Sequence, residues 1–162
     1  MSIKLFCLDI DGCLTDGCYY VRPDITSIFK FNTRDMHGLT LLCQNKVKLA
    51  IVSMSDNQTI IPLMKKMPFI IDIHLKVMNK LSTVQSMAEE YGIGMDEIAY
   101  IGDDVSDIPV LQNVGMAACP FDAEDEVLRM IAKKDDGWIM ERKGGYGCVR
   151  EFANLVLSMY NG

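Results

Sequence analysis

Short apolar runs that alternate with amphipathic stretches are the feature of this 162-residue chain that most restricts its fold. The five apolar runs cover residues 3–8, 47–52, 69–73, 97–101 and 114–118. The amphipathic stretches cover residues 36–44, 58–66, 80–91, 105–112 and 123–132, and a last helix is expected over residues 147–160. This alternation is typical of parallel strands joined by right-handed helical crossovers. The sequence therefore predicts a Rossmann-like, doubly wound α/β fold with a mostly parallel sheet of about five strands.

One segment interrupts the alternation directly after the first apolar run. Residues 18–31 carry aromatic and aliphatic side chains on both sides of an Arg-Pro-Asp turn at residues 22–24. This pattern predicts a β-hairpin inserted after the first strand. No linker, repeat or biased segment marks a second domain. We therefore expect a single domain over residues 1–162, without a cap domain.

The charge and the distribution of cysteines exclude several classes of function. The chain has a net charge of −6 and a pI near 4.8, whereas nucleic-acid-binding proteins usually present a basic face. No apolar stretch approaches the roughly 20 residues that span a bilayer, and Asp9 interrupts the first run too early for a signal peptide. The six cysteines are scattered without metal-ligand spacing. We expect a cytoplasmic protein with reduced cysteines and neither a nucleic-acid nor a membrane partner.

Polar residues stand where several predicted strands end or the next helix begins. In chain order they are Asp9 and Asp11, then Ser53, then Lys80, and then Asp103, Asp104 and Asp107. Taken singly, each of them could belong to a turn or a helix cap. Because the carboxyl ends of parallel strands share one edge of the sheet, where ligands bind, we expect these side chains to meet in one site.

The residue types at this edge favour phosphoryl transfer. Oxygen ligands without a His or Cys cluster suit Mg²⁺, which also keeps waters and substrate phosphate as ligands. One carboxylate can attack phosphorus, and a second can give a proton to the leaving oxygen and later take one from water. An ammonium and a hydroxyl can neutralise and hold the phosphoryl oxygens.

Four motifs in these segments resemble those of the haloacid dehalogenase-like phosphatase superfamily. They are Asp-x-Asp-Gly-x-Leu-Thr-Asp-Gly at residues 9–17, Ser53, Lys80, and Gly-Asp-Asp-x-x-Asp at residues 102–107. Residues 31–35, 79–81, 99–104 and the glycine-rich 144–152 are similar to a small capless branch that dephosphorylates sugar-acid phosphates. That branch includes the 3-deoxy-octulosonate (KDO) 8-phosphate and deoxynononate (KDN) 9-phosphate phosphatases.

The resemblance implies a role for each matched residue. Asp9 would be the nucleophile that forms an aspartyl-phosphate, and Asp11 would be the general acid and base. Mg²⁺ would be held by Asp9, Asp103 and the backbone carbonyl of Asp11. Ser53 and Lys80 would bind the phosphoryl oxygens.

The resemblance also implies supporting residues, an assembly and substrate contacts. Asp104 and Asp107 would orient Lys80 or metal-bound waters. The branch is typically tetrameric, with subunits that close one another's sites, so a homotetramer is expected with the hairpin and residues 144–152 at subunit boundaries. The candidate specificity residues are Ser55, Arg34, Lys76 and Arg150.

One position departs from the branch in an informative way. Octulosonate phosphatases usually have Ser-Gly-Arg after the second strand, with the arginine placed for the carboxylate of the sugar acid. Here the triplet is Ser53-Met54-Ser55, and neutral Ser55 cannot make the bidentate contact of a guanidinium to a carboxylate. Lys76 also replaces a residue that is often glycine. These departures favour a nononate 9-phosphate over octulosonate 8-phosphate.

Two further hypotheses stay open beside the phosphatase. Similar domains occur as catalytically silent oligomerisation modules in sugar-acid (sialic acid) metabolism, but such a module is expected to have lost a key carboxylate, and none is lost here. A phospho-accepting receiver domain also uses an aspartate and Mg²⁺ on a five-stranded α/β fold. Its acceptor would follow the third strand, where residues 72–74 read Asp-Ile-His without a clear acceptor.

Overall fold

The computed structural model describes residues 2–24 and 27–160, and its elements follow the predicted alternation. The strands are β1 (Leu5–Leu8), β2 (Tyr20–Val21), β3 (Ser27–Ile28), β4 (Lys48–Val52), β5 (Asp72–His74), β6 (Ile98–Ile101), β7 (Met116–Cys119) and β8 (Gly137–Ile139). The helices are α1 (Thr33–Gln44), α2 (Ile60–Met64), α3 (Lys80–Tyr91), α4 (Ile108–Asn113), α5 (Asp125–Ile131) and α6 (Cys148–Tyr160). Short helical turns cover Ile10–Leu14, Met95–Glu97 and Val105–Asp107.

Within the described ranges, six strands form one sheet in the order β5-β4-β1-β6-β7-β8. Every neighbouring pair is parallel, and Leu5 of β1 is in register with Lys48 of β4 on one side and Ile98 of β6 on the other. The order therefore reverses beside β1, which leaves a crevice at the carboxyl ends of β1 and β6. The predicted doubly wound α/β fold is confirmed.

Helices cover both faces of this sheet. On β1, Phe6 and Leu8 join the core formed with α1, α2 and α6, whereas Leu5 and Cys7 join the core formed with α3, α4 and α5. Successive side chains of a strand point to opposite faces, so a strand buried on both sides must be apolar throughout. This double burial explains why the predicted runs are continuous and do not alternate with polar residues.

The structure adds one strand to the sequence prediction and shifts the bounds of several elements. The sheet has a sixth strand, β8, whose Trp138 pairs with Ala118; three residues after a charged stretch are too short a run to stand out in the sequence. Strand β5 pairs with β4 only from Asp72, because Ile70 turns outward and is exposed. Helix α2 begins after Thr59, whose backbone N–H donates to the side chain of Asn57 in a local turn.

The hairpin after β1 has the predicted form. Strands β2 and β3 are antiparallel, with Tyr20 opposite Ile28 and Val21 opposite Ser27; residues 25 and 26 of the predicted segment 18–31 lie outside the described residues. No cap domain is inserted between the elements of the described ranges. The single domain over residues 1–162 stays a prediction. None of the described helices has the length and apolar character needed to cross a bilayer.

Candidate active site

Asp9 ends β1 and opens the turn Ile10–Leu14. Its Oδ1 accepts a hydrogen bond from the backbone N–H of Ile10 at 2.6 Å. Gly12 in this turn has φ +80°, and a Cβ atom there would lie 1.9 Å from Oδ2 of Asp103. Only glycine allows this conformation and this approach. The loop after β1 thus packs directly against the loop after β6.

Lys80 is the first residue of α3, and its side chain is 1% exposed. Its Nζ donates to Oδ2 of Asp9 at 2.5 Å and to Oδ1 of Asp107 at 2.7 Å. Burial would lower the pKa of Lys80, but the charges of Asp9 and Asp107 outweigh burial and raise this pKa above its usual range. The ammonium is therefore a fixed positive charge between two carboxylates.

Three carboxylates meet at the carboxyl edge of the sheet. One oxygen each from Asp9, Asp103 and Asp107 lie within 4.8 Å of one another. Burial, and then the charge of Asp107, raises the pKa of Asp9 to about 6; burial and the neighbouring carboxylates raise the pKa of Asp103 to about 8. A single ammonium cannot neutralise this cluster, and buried negative charge needs a counter-ion. A divalent cation with oxygen ligands, such as Mg²⁺, fits it.

The hydrogen bonds of the three carboxylates indicate which of them can bind a cation. The carboxylate of Asp107 accepts from Lys80, from the hydroxyl of Tyr100 at 2.6 Å, and from the backbone N–H groups of Asp103 and Asp104 at 3.2 Å each. These four donors use its acceptor positions, so Asp107 holds Lys80 and is a poor metal ligand. Asp9 and Asp103 are the carboxylates of the cluster that remain for a cation. The predicted third ligand, Asp11, would act through its carbonyl, and this set stays a prediction.

A cavity of about 280 Å³ opens over this edge. The predicted residues that line it are Asp9, Asp11, Ser53, Ser55, Lys80, Asp103 and Asp104. Lys80 is the only cationic side chain among the described lining residues. Ser53 is buried, and its Oγ accepts from the N–H of Ser55 at 3.2 Å. The geometry therefore gathers every catalytic residue that the sequence predicts, with one positive charge for an anionic group.

A second cavity of about 440 Å³ adjoins the first at Ser55, which lines both. Its other walls are residues 56–59 and two hairpin aromatics, Tyr19 and Phe29, whose rings pack edge to face with centroids 5.5 Å apart. The larger cavity thus adjoins the one that holds the carboxylate cluster, with a neutral residue at the junction.

The remaining specificity candidates lie farther out. Lys76 pairs with Asp56 at 2.8 Å on the surface. Arg34 lies in the first turn of α1, and Arg150 in that of α6 donates through Nε to Asn154 at 2.8 Å. Neither arginine lines the two cavities within a single chain. Their predicted role depends on a neighbouring subunit and stays a prediction.

Two contacting residues were missed by the sequence reasoning. The hydroxyl of buried Thr15 donates to Oδ1 of Asp11 at 3.4 Å, and Tyr100 donates to Asp107. Thr15 lies one turn beyond Asp11 within the first motif. Tyr100 is a hydroxyl in an otherwise aliphatic buried strand, where it needs a hydrogen-bond partner. The need of this buried hydroxyl for a partner was the signal in the sequence that could have identified Tyr100.

Comparisons with known proteins agree with this geometry. The haloacid dehalogenase-like hydrolase family matches residues 19–134. The 3-deoxy-D-manno-octulosonate 8-phosphate phosphatase KdsC of Salmonella typhi is 29% identical over 156 residues, 96% of this chain and 80% of that protein.

Solved structures of phosphatases have the same fold as this chain. A probable YrbI family phosphatase from Pseudomonas syringae has a TM-score of 0.89 and 32% identity, over 97% of this chain and 86% of that one. A 3-deoxy-D-manno-octulosonate 8-phosphate phosphatase from Moraxella catarrhalis, solved with magnesium, phosphate and KDO, has a TM-score of 0.87 and 29% identity, over 96% and 86%. The match to the family, the fold and the carboxylate edge together show that this chain belongs to the haloacid dehalogenase-like hydrolases.

Proposed function

We propose that the protein is a Mg²⁺-dependent phosphomonoester hydrolase that works through an aspartyl-phosphate on Asp9. One observation carries the proposal. Asp9, Lys80 and Asp107 form a buried, hydrogen-bonded array next to Asp103, and this array opens into a cavity at the carboxyl edge of the sheet. The phosphatase names of the similar proteins support it.

The first half-reaction uses the two carboxylates of the loop after β1. A carboxylate oxygen of Asp9 attacks phosphorus, and the bond from phosphorus to the ester oxygen breaks. Asp11 donates its proton to that oxygen, so the alcohol leaves neutral. Lys80 and Ser53 hold the phosphoryl oxygens, and the fixed ammonium offsets their charge without reorganisation.

The second half-reaction reverses the role of Asp11. Its carboxylate takes a proton from water, and the water oxygen attacks the phosphorus of the aspartyl-phosphate. Phosphate leaves and the Asp9 carboxylate is restored. Mg²⁺ held by Asp9, Asp103 and the carbonyl of Asp11 would neutralise charge on the phosphoryl group. The contact of Thr15 with Asp11 orients the carboxyl group in both steps.

Replacing the nucleophile tests this proposal. The variant Asp9→Asn keeps the side-chain size and removes the attacking oxygen, so turnover of p-nitrophenyl phosphate should fall at least about 10⁴-fold. Asp125→Asn, at an exposed carboxylate of α5, is the matched control and should hydrolyse like the wild type. Wild-type turnover in Asp9→Asn would refute the mechanism. A folded, Mg²⁺-binding wild type without hydrolysis on a panel of sugar-acid phosphates would favour the silent oligomerisation module.

For the substrate, we propose the phosphate ester of a 2-keto-3-deoxy sugar acid, either octulosonate 8-phosphate or a nononate 9-phosphate. The names of the similar proteins favour octulosonate. Ser55 at the junction of the two cavities, in place of an arginine, favours a nononate. Steady-state phosphate release with both substrates, with and without Mg²⁺, decides between them. Ser55→Arg should raise kcat/KM for octulosonate 8-phosphate relative to the nononate, and much better wild-type use of octulosonate would overturn the preference for the nononate.

We further propose a homotetramer in the cytoplasm. The hairpin exposes Tyr19, Val21 and Ile28 by half or more, which is a cluster of apolar side chains that a neighbouring subunit could cover. All six cysteines are free, which suits a reducing compartment. Sedimentation velocity measures the assembly, and Val21→Asp should shift it to smaller species if the hairpin forms the contact.

A further inference from the structure

The hydroxyl of Tyr100 is a buried polar group that the proposed reaction does not use. Tyr100 lies in β6, two residues before Gly102, and is fully buried in the core on the α3, α4 and α5 side. Its hydroxyl donates to Oδ1 of Asp107 at 2.6 Å. Burial, and then the charge of Asp107, raises the pKa of Tyr100 above its usual range, so the hydroxyl keeps its proton and acts as a donor. The contact therefore joins the core to the carboxylate cluster.

Asp107 receives this hydrogen bond on the same oxygen that holds the ammonium of Lys80. Its other oxygen accepts from the backbone N–H groups of Asp103 and Asp104. The backbone of Gly102 also lies close to this carboxyl group, since a Cβ atom there would lie 2.3 Å from Cγ of Asp107. A carboxyl group rotates easily about its terminal bond unless donors fix it, and here Tyr100 is the donor that comes from the rigid sheet.

The ammonium of Lys80 lies between two carboxylates at nearly equal distances, 2.5 Å from Asp9 and 2.7 Å from Asp107. A small rotation of Asp107 would move it. We infer that Tyr100 is a positioning residue: by fixing the carboxylate of Asp107, it sets where Lys80 meets the phosphoryl group beside Asp9. This inference rests on the roles of Asp9 and Lys80 in the proposed function.

The variant Tyr100→Phe removes the hydroxyl and keeps the ring in the core. Misplacing a catalytic group by about 1 Å can cost roughly 10²-fold in rate, so kcat/KM for p-nitrophenyl phosphate should fall about 10–100-fold. The dissociation constant of orthophosphate from the Mg²⁺-loaded protein, measured by calorimetry, should rise because Lys80 binds that anion too. The half-saturating Mg²⁺ concentration should change less than about twofold, because Asp9 and Asp103 keep their places.

Tyr91→Phe is the matched control. The hydroxyl of Tyr91 also donates to an aspartate, Asp72, but at the far end of α3 from Lys80. A purely structural role for Tyr100 predicts that both variants lose thermal stability alike and that neither changes kcat/KM or the affinity for orthophosphate. The inference predicts that only Tyr100→Phe changes these two quantities.

A double-mutant cycle then asks whether Tyr100 acts through Lys80. In a Lys80→Met background, Tyr100→Phe should change kcat/KM by less than about twofold, since the group that it positions is gone. An unchanged kcat/KM in the single variant, or an undiminished loss in the double variant, would overturn the inference. Failure of the proposed function is distinguishable, because Asp9→Asn would then keep wild-type turnover, while the orthophosphate measurement would still report on Tyr100.

One measurement needs no variant and covers the case in which Tyr100→Phe does not fold. The hydroxyl proton of Tyr100, observed by NMR in protein labelled at tyrosine, should exchange slowly with water because it is buried and hydrogen-bonded. Its resonance should shift when orthophosphate binds. Lys80 then gains the anion as a new partner, which alters the hydrogen bonds that Asp107 accepts. A resonance that stays unchanged at saturating orthophosphate would contradict the inference.

Discussion

The carboxylate cluster differs in burial from the outer part of the site. We call that outer part the mouth; it consists of Lys76, Asp56 and the hairpin aromatics Tyr19 and Phe29. In the cluster, the Asp9, Lys80 and Asp107 side chains are at most 10% exposed and are joined by short hydrogen bonds. At the mouth, the Lys76–Asp56 pair is 68% and 49% exposed, and the hairpin aromatics face a wide cavity. One region is completed within a single chain, whereas the other is open on its outer side.

This difference separates chemistry from recognition. Charges in the buried cluster act in a low dielectric and have fixed positions, so each one should have a large effect on a phosphoryl group transferred to Asp9, as we propose. Charges at the mouth are screened by water, and an exposed pair contributes little by itself. We therefore expect substitutions in the cluster to affect all phosphate esters and substitutions at the mouth to affect only particular ones.

After Asp9→Asn, the largest expected effect comes from Asp11→Asn. Without a proton for the leaving oxygen, kcat/KM for an alkyl phosphate such as a sugar phosphate should fall about 10²–10⁴-fold. The fall should be smaller for p-nitrophenyl phosphate, because nitrophenolate leaves without a proton. Steady-state kinetics on both substrates measure the difference.

A milder change at Thr15, which contacts Asp11, sharpens this test. Thr15→Val removes the 3.4 Å contact with Asp11 but leaves the carboxyl group. The same hydroxyl also contacts the carbonyl of Ile10 at 3.4 Å and the backbone N–H of Gly17 at 3.3 Å, and all three contacts are long. The loss of kcat/KM should therefore stay below about tenfold. Equal kcat/KM for Asp11→Asn and wild type on an alkyl phosphate would exclude Asp11 as the general acid.

The same contrast explains how far the sequence could predict this molecule. Continuous apolar runs indicated a parallel sheet, and the topology then required their carboxyl ends to meet, so Asp9, Ser53, Lys80 and Asp103 could be placed in one site. The three-residue strand β8 could not be predicted, because its pairing with β7 supplies the stability that its short sequence lacks. The local sequence pattern was sufficient to predict the strands that are buried on both faces, because such strands have long apolar runs.

The finer contacts depended on distances that no pattern encodes. The motif gave Asp107 a supporting role, but its saturation by four donors, including Tyr100, follows from tertiary packing. Arg34 and Arg150 could be named from motifs, yet neither lines the two cavities of the single chain. Recognition at an open mouth is therefore the part that a single sequence predicts least.

Asp35 allows a test of burial away from the chemistry. It lies in α1, fully buried, and its Oδ1 accepts from the backbone N–H of Arg150 at 2.8 Å, which joins α1 to the first turn of α6. Its Oδ2 has no hydrogen-bond partner among the described residues. Burial, only partly offset by the N–H of Arg150, raises the pKa of Asp35 from 3.8 to about 6. Ionisation of this group therefore costs stability.

The sign of the pH effect follows from that direction. Because the folded pKa is the higher one, the contribution of Asp35 to stability is complete below pH 3.8 and is lost as the pH rises through 6. The difference between the two pKa values corresponds to about 3 kcal/mol at 1.36 kcal/mol for each pKa unit. The free energy of unfolding of wild type minus that of Asp35→Asn should fall by most of this amount from pH 4 to pH 7. Denaturant unfolding measures it, with Asp125→Asn as the control; a pH-independent difference would contradict the burial of an ionised Asp35.

Gly12→Ala should have a smaller effect that is specific to the metal. The new Cβ atom would collide with Oδ2 of Asp103 at 1.9 Å, so the carboxyl group of Asp103 must move away from Gly12. Losing a group that only orients a ligand typically costs 10–100-fold in metal affinity, so displacement of Asp103 should raise the half-saturating Mg²⁺ concentration by at least about that factor. Activity should recover in part at high Mg²⁺, which an Mg²⁺ titration of kcat/KM measures. Gly92→Ala, which also has positive φ but meets no atom, is the control; equal Mg²⁺ requirements in the two variants would separate Asp103 from the metal.

The smallest effect is expected at the mouth, from Lys76→Ala. This variant breaks the 2.8 Å pair with Asp56, which is exposed, so the free energy of unfolding should change by less than about 1 kcal/mol. Lys4→Ala is the matched control, since Lys4 forms a surface pair with Glu97 at 2.7 Å on another part of the molecule.

With p-nitrophenyl phosphate, both variants should keep kcat/KM within about twofold of wild type, because neither pair touches the buried cluster. With a sugar-acid phosphate, only Lys76→Ala should raise KM, by a few-fold, since this ammonium pairs with Asp56 in the wall of the second cavity. A rise in KM for both substrates would mean that the mouth and the cluster are coupled, and no rise for either would leave recognition of the sugar acid to residues from a neighbouring chain.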